Sequence, residues 1–128
     1  MAVDPDFLDH VRDLLAGLGP LRLGRMFSGA ALYVEEDVMI AMISPSGTLY
    51  MKSDATTEAA FRAAGSEPFV YTRKDGRRQV TSLMSLPEPA LDDPEEALHW
   101  AELSLGPARA ATRAKRAAKA RKAARRAG

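Results

Sequence analysis

The sequence predicts an α+β fold: a mainly antiparallel sheet of about six strands packed by two to three helices, in the order α-β-β-β-β-α-β-β-α, with a basic C-terminal tail. Three observations predict it. Apolar residues recur at helical spacing in three segments and in strand patterns in six others. Short turns join most of the strand segments, and antiparallel neighbours can use such turns whereas parallel ones cannot. The charges are divided between the first 106 residues and the remainder. With 128 residues, 46% of them apolar, the chain is long enough for one core. Folded chains of this size bury roughly 60 to 70% of the surface their unfolded form exposes.

Asp4-Pro5 opens the first helix as an N-cap residue followed by proline at the first helical position. Phe7, Val11, Leu14, Leu15 and Leu18 form its apolar face, and Gly17, Gly19 and Pro20 end it. Residues 21–27 and 30–34 read as strands separated by the permissive Ser28-Gly29 step. Glu35-Glu36-Asp37 turns into the continuous apolar run 38–43, a strand expected to be covered on both faces. If helices lie on one side only, the other needs a loop, a partner or a second copy. Pro45-Ser46-Gly47 makes the next turn, and residues 48–52 follow as a strand. Asp54 caps a second helix running through Ala59, Ala60 and Phe61 to Ala64, with Gly65 after its end. Residues 69–72 and 79–83 form a hairpin across Asp75-Gly76. Asp93, Pro94 and Glu96 match a capping box for the last domain helix. Ala97, Leu98, Ala101 and Leu105 form its inner face, with Trp100 at the edge, and Gly106-Pro107 is expected to break it.

A formal net charge of +1 conceals a division at that break. Residues 1–106 carry nine basic and all 17 acidic side chains, a net of −8, whereas residues 107–128 carry nine basic and no acidic ones. The expected domains are therefore 1–106, an acidic α/β unit, and 107–128, an Ala/Lys/Arg tail that is helical or disordered. On a helix Lys115, Lys119, Lys122 and Arg126 share one face, Arg109, Arg113 and Arg116 a second, and Arg121 and Arg125 a third. Such a segment repels itself and is easier to order on a polyphosphate. It offers only alanine as apolar surface, too little for bilayer insertion, and no aromatic residue for base stacking. Non-specific affinity for DNA or RNA through counterion release is one reading; a solubilising extension, or one folded back on the acidic domain, is the other.

A second basic cluster, Arg73, Lys74, Arg77 and Arg78, brackets the expected Asp75-Gly76 turn. In that register Lys74 faces Arg77 and Arg73 faces Arg78, and facing like charges destabilise a pair by roughly 0.2 to 1 kcal/mol. A phosphate backbone would relieve the repulsion; so would solvent at an exposed tip.

Catalytic constellations are missing from the pattern. The absence of cysteine excludes disulfides and thiol catalysis. His10 and His99 fall in no metal-binding spacing and read as surface or packing residues. Glu35, Glu36 and Asp37 crowd a turn, Asp92 and Asp93 are accounted for by capping, and Gly24 and Gly29 form no nucleotide-binding loop. Ser28 lacks the elbow of a hydrolase nucleophile, and the methionines at 26, 39, 42, 51 and 84 fit core positions. The expectation is a non-enzymatic protein with no catalytic, cofactor or metal residues. No apolar run approaches the ~20 residues of a membrane span, and Met1 is followed by Asp4, Asp6 and Asp9 rather than a basic leader. A cytoplasmic protein is expected.

In order and spacing, four blocks resemble the TfoX N-terminal-domain family, best known from the Sxy/TfoX competence regulators of bacteria. They are Gly24-Arg-Met-Phe-Ser-Gly-Ala-Ala-Leu-Tyr33, Leu49-Tyr-Met-Lys52, Ala63-Ala-Gly-Ser-Glu-Pro-Phe-Val-Tyr71, and Leu86-Pro87 with the Asp93-Pro94 helix to Trp100. The resemblance implies a small α/β sandwich without a catalytic centre and, for the full-length regulators, a role in transcriptional control. In those regulators a second domain stands where this sequence has its basic tail, and Leu83-Met84-Ser85 lacks the aromatics that often precede Leu-Pro in the family. The expected role is a regulatory or accessory one, with DNA or RNA met by the tail and a protein partner or homodimer met by the sheet. The alternative is an adaptor module with an incidental tail. Neither reading includes a membrane or a small-molecule substrate.

Overall fold

A computed structural model describes residues 3–26 and 28–127. Phe27, expected at the end of the first strand, lies outside the described residues. Helix α1 spans Pro5–Leu14, and the Asp4 carboxylate accepts a hydrogen bond from the Asp6 amide, as the Asp-Pro pair predicts. A 3-10 turn at Ala16–Leu18 leads into β1 (Arg22–Met26), β2 (Gly29–Val34), β3 (Val38–Ile43) and β4 (Leu49–Lys52). Helix α2 spans Glu58–Ala63, β5 Pro68–Arg73 and β6 Gly76–Ser85. A 3-10 segment, Glu88–Asp92, precedes α3, Pro94–Ala127. All strand pairings are antiparallel, in the order β1-β2-β3-β4-β6-β5. The predicted class and element order are those observed.

Helices α1 and α2 and the first half of α3 pack on one face of the sheet. Val11, Leu14, Leu32, Ile40, Ile43, Leu49, Met51, Phe61 and Met84 meet Ala97, Ala101 and Ala108 of α3 in the main core. Phe61 of α2 packs on Trp100, ring centroids 4.8 Å apart, and His10 Nε2 lies 2.6 Å from the Leu91 carbonyl oxygen, tying α1 to the segment before α3. On the opposite face Met42, Phe69 and Leu83 form a second buried cluster, with Met26, Met39, Tyr50, Tyr71 and Val80 half-buried around it. Met42 of β3 is buried on that face among side chains of strands in the same sheet, Phe69 of β5 packing edge-on against Tyr50 of β4 at 5.1 Å.

Four sequence expectations need correction. Gly106-Pro107 does not break the helix: α3 runs through it to Ala127. Pro107 cannot donate to the Leu103 carbonyl, a local loss, yet Pro107, Ala108 and Thr112 are buried against the globule and hold the next turns in line. The division expected between residues 106 and 107 accordingly falls inside a helix. The hairpin turn is shifted by one residue, to Lys74-Asp75, and every partner therefore by two: Arg73 faces Gly76, Thr72 faces Arg77 and Tyr71 faces Arg78. Gly76, at φ +126°, is the residue that can take the left-handed backbone after that turn. Asp93 Oδ1 accepts from the Glu95 and Glu96 amides, but its own amide donates to the Ala90 carbonyl, so the capping box is half made. Finally, α2 ends before Ala64; the Asp54 carboxylate accepts from the amides of Thr56 and Thr57, capping the turn ahead of it.

Ser104 is fully buried and its hydroxyl has no partner among the described residues. Ser104→Ala removes an unpaired polar group and improves helix propensity, so it is expected to stabilise the fold by about 1 kcal/mol in denaturant titration. Gly29 is the opposite case, because a Cβ there would run into the Ile43 backbone carbonyl, which cannot swing aside. Gly29→Ala is expected to cost at least about 3 kcal/mol by the same measurement.

Candidate nucleic-acid interface

Helix α3, 34 residues long, extends about 51 Å, and residues 113–127 are exposed throughout. The sheet ends beneath its middle. The β2–β3 turn, Glu35-Glu36-Asp37, meets the helix there, with Glu35 and Glu36 in the left-handed region at φ +49° and +73°. Two consecutive non-glycine residues in that region store strain of order 1 to 2 kcal/mol each, and the conformation presents two carboxylates to α3. Arg109 forks onto Glu35, its Nε 3.1 Å from both carboxylate oxygens and its Nη2 closing the pair. Arg116 does the same to Asp37, with Nε 3.1 Å from Oδ2. Bidentate guanidinium–carboxylate geometry fixes orientation as well as charge. The Arg109 guanidinium holds the Glu35 carboxyl below its ordinary pKa.

These two arginines belong to the face that the helical wheel assigned to Arg109, Arg113 and Arg116, which is turned to the β2–β3 turn, while Lys115 of the first face is turned to Lys52. The tail is therefore docked along its first turns and projecting beyond them. Arg113, Lys115, Lys119, Arg121, Lys122, Arg125 and Arg126 take part in none of the four ion pairs among the described residues.

The strand registers bring the hairpin cluster to the same end of the sheet. β4 ends at Lys52, opposite Leu83 of β6, and β6 continues past that point back to Gly76. Arg73, Lys74, Arg77 and Arg78 thus project from the end that carries the β2–β3 turn and the root of the tail. The like-charge repulsion expected between them is not built in, because in the observed register Arg78 pairs with Asp75 and Arg73 lies over the Tyr71 ring at 5.5 Å.

Between α3 and the sheet end runs a groove of about 630 Å³ that sequence reasoning missed. Its walls include Ala108, Ala111, Lys115 and Ala118 of α3, Arg25 of β1 and Lys52 of β4, over a floor of Met26, Tyr33 and Met39. Tyr33 lies against Gly24, where a Cβ would sit 2.8 Å from its ring, and the Arg22 guanidinium stands 4.2 Å from the ring centroid. Lys52 is half-buried; burial first, and the charge of Lys115 second, hold its ammonium below the usual lysine pKa. The groove gave no sequence signal because its residues come from five separate elements and none lies in a motif. Among the described residues no group of His, Cys, Asp and Glu is arranged to hold a metal ion, and no helix is long and apolar enough to cross a membrane.

These features define a two-layer α+β domain carrying a helical cationic arm. Residues 13–108 match the family model of the TfoX N-terminal domain, most of the chain, and the protein belongs to that family. The match takes in all six strands and stops at Ala108, so the exposed arm lies beyond it. No curated protein matches the chain.

Lys52 binds its proton less tightly when folded than when unfolded, so its penalty on stability is full at neutral pH. It fades as pH rises through the lowered pKa toward the usual lysine value. Lys52→Met is therefore expected to raise the melting temperature at pH 7, with the gain shrinking toward alkaline pH; thermal melts at several pH values read this directly.

Proposed function

We propose that this protein is a non-enzymatic, cytoplasmic regulatory or accessory factor that binds DNA or RNA non-specifically through the projecting half of α3, leaving its acidic globule to contact a protein partner. The observation that carries the reading is the run of unpaired cations on an exposed, continuous helix, already ordered by the packing of its first turns. Preordering lowers the entropy lost on binding. The basic hairpin at the same sheet end extends the cationic surface. The role in transcriptional control known for full-length members of the family agrees with this reading. The adaptor alternative draws on the second sheet face, where Met26, Met39, Tyr50, Tyr71 and Val80 remain half-exposed.

Removing residues 107–128 would strip Pro107, Ala108 and Thr112 from the packed region, so the test keeps the chain whole. Fluorescent duplex DNA is titrated with the parent and with a variant carrying Gln at Lys119, Arg121, Lys122, Arg125 and Arg126. The parent is expected to bind, and to lose affinity by roughly 10³ between 50 and 200 mM salt if six or more phosphates are neutralised. The variant is expected to bind far more weakly with a shallower salt slope. Equal binding by both proteins, or none by the parent at low salt, would remove the proposal and favour the adaptor.

A further inference from the structure

Lys52 is a half-buried cation without a counter-ion. Strand alternation places it on the sheet face of Tyr50 and Leu83, at the sheet end where α3 passes, and the charge acting on it is another cation, Lys115 of that helix. Neither lysine is in any of the four ion pairs among the described residues, nor is Arg25 on the opposite wall. The one carboxylate lining the groove, Asp37, is already held by Arg116. Positive charges gathered in a cleft without neutralisation make a site for an anion, and the low-dielectric walls strengthen the attraction.

Size and surroundings narrow the anion. A groove of about 630 Å³ lies within the range of roughly 300 to 1,000 Å³ that holds a small ligand, space for a nucleotide unit but not for a duplex. Its floor of Met26, Tyr33 and Met39 suits an apolar, flat group beside the charge. The cations also do not stop at the groove. Lys119, Lys122 and Arg126 follow Lys115 on the same helix face at steps of three and four residues, about 4.5 to 6 Å apart along the axis. A single phosphate needs no such row; a chain of phosphates does.

We propose that the groove grips one strand of nucleic acid: a phosphate between Lys52 and Lys115, its base and sugar against Met26, Tyr33 and Met39, and later phosphates along Lys119, Lys122 and Arg126. This rests on the nucleic-acid reading above and adds to it a preference for unpaired strands, which the arm alone does not supply because it has no apolar platform.

Fluorescent oligo(dT) and a duplex of the same length are titrated over a salt series with the parent chain, Lys52→Met and Lys52→Arg, each checked by thermal melting. Lys52→Met keeps the apolar stem, so it is expected to fold while losing about tenfold in oligo(dT) affinity. Its salt slope on the single strand should fall by about 0.7, the share of one phosphate contact. Duplex affinity should change by less than about twofold, and Lys52→Arg should restore single-strand binding. If the parent binds both probes and Lys52→Met binds oligo(dT) equally well, the groove proposal is overturned while the arm reading stands. Equal losses on both probes also overturn it, since Lys52 then acts only through total charge. A parent that binds neither probe overturns both proposals, and displacement of oligo(dT) by an equal concentration of thymidine monophosphate assigns the groove to a free nucleotide instead.

Discussion

Ala97, Ala101, Ser104, Ala108 and Thr112 descend one side of α3 at steps of three and four residues with Pro107 beside them, and all six are buried. Small side chains in that stripe let the helix axis approach β3 and β4 closely, closing the main core over Ile40, Ile43, Leu49 and Met51. The rest of the arrangement depends on this seating. It fixes where the helix leaves the sheet, and so which side chains of its exposed half meet the β2–β3 turn and which overhang the groove. It also explains why a proline in mid-helix is tolerated, since the ring that removes one hydrogen bond is itself part of the buried stripe.

Packing, rather than the ion pairs, holds the arm. Arg109–Glu35 and Arg116–Asp37 are well aligned but exposed, and exposed pairs contribute little to stability. Their effect is on direction: two forks spaced along one helix face set its rotation about its own axis. That rotation turns Lys115 toward Lys52 and keeps the Lys119, Lys122 and Arg126 row clear of the globule's carboxylates. The strained backbone of Glu35 and Glu36 contributes to the same alignment, because it brings the turn's carboxylates to the helix.

Much of this was legible from local chemistry. Asp4-Pro5 marked the start of α1, the continuous run 38–43 marked a strand buried on both faces, and the charge division located the arm. What failed was decided by tertiary packing. Gly106-Pro107 reads as a stop because both residues disfavour helix locally, and only burial of Pro107 against the sheet overrides that preference. Asp75-Gly76 is a favoured hairpin dipeptide, yet the turn that forms is Lys74-Asp75, with Gly76 supplying positive φ one position later. Lys52 looked like the polar end of a strand; its meaning depends on Lys115, 63 positions away in the chain, and nothing in either neighbourhood links them.

The length of the exposed arm has an electrostatic consequence. Charges in water at physiological salt are screened over a Debye length of about 8 Å, whereas residues 119–127 reach about 13 Å beyond Ala118, the last helix residue lining the groove. An acidic body carrying a net −8 over residues 1–106 would be repelled by any polyanion it touched directly. Held off by a helical stand of more than one screening length, that body feels the polyanion only weakly while the tip of the helix is in contact with it. The molecule is a macroscopic dipole with its positive pole on a stalk, and it would approach negative surfaces in one orientation, stalk first and acidic face outward.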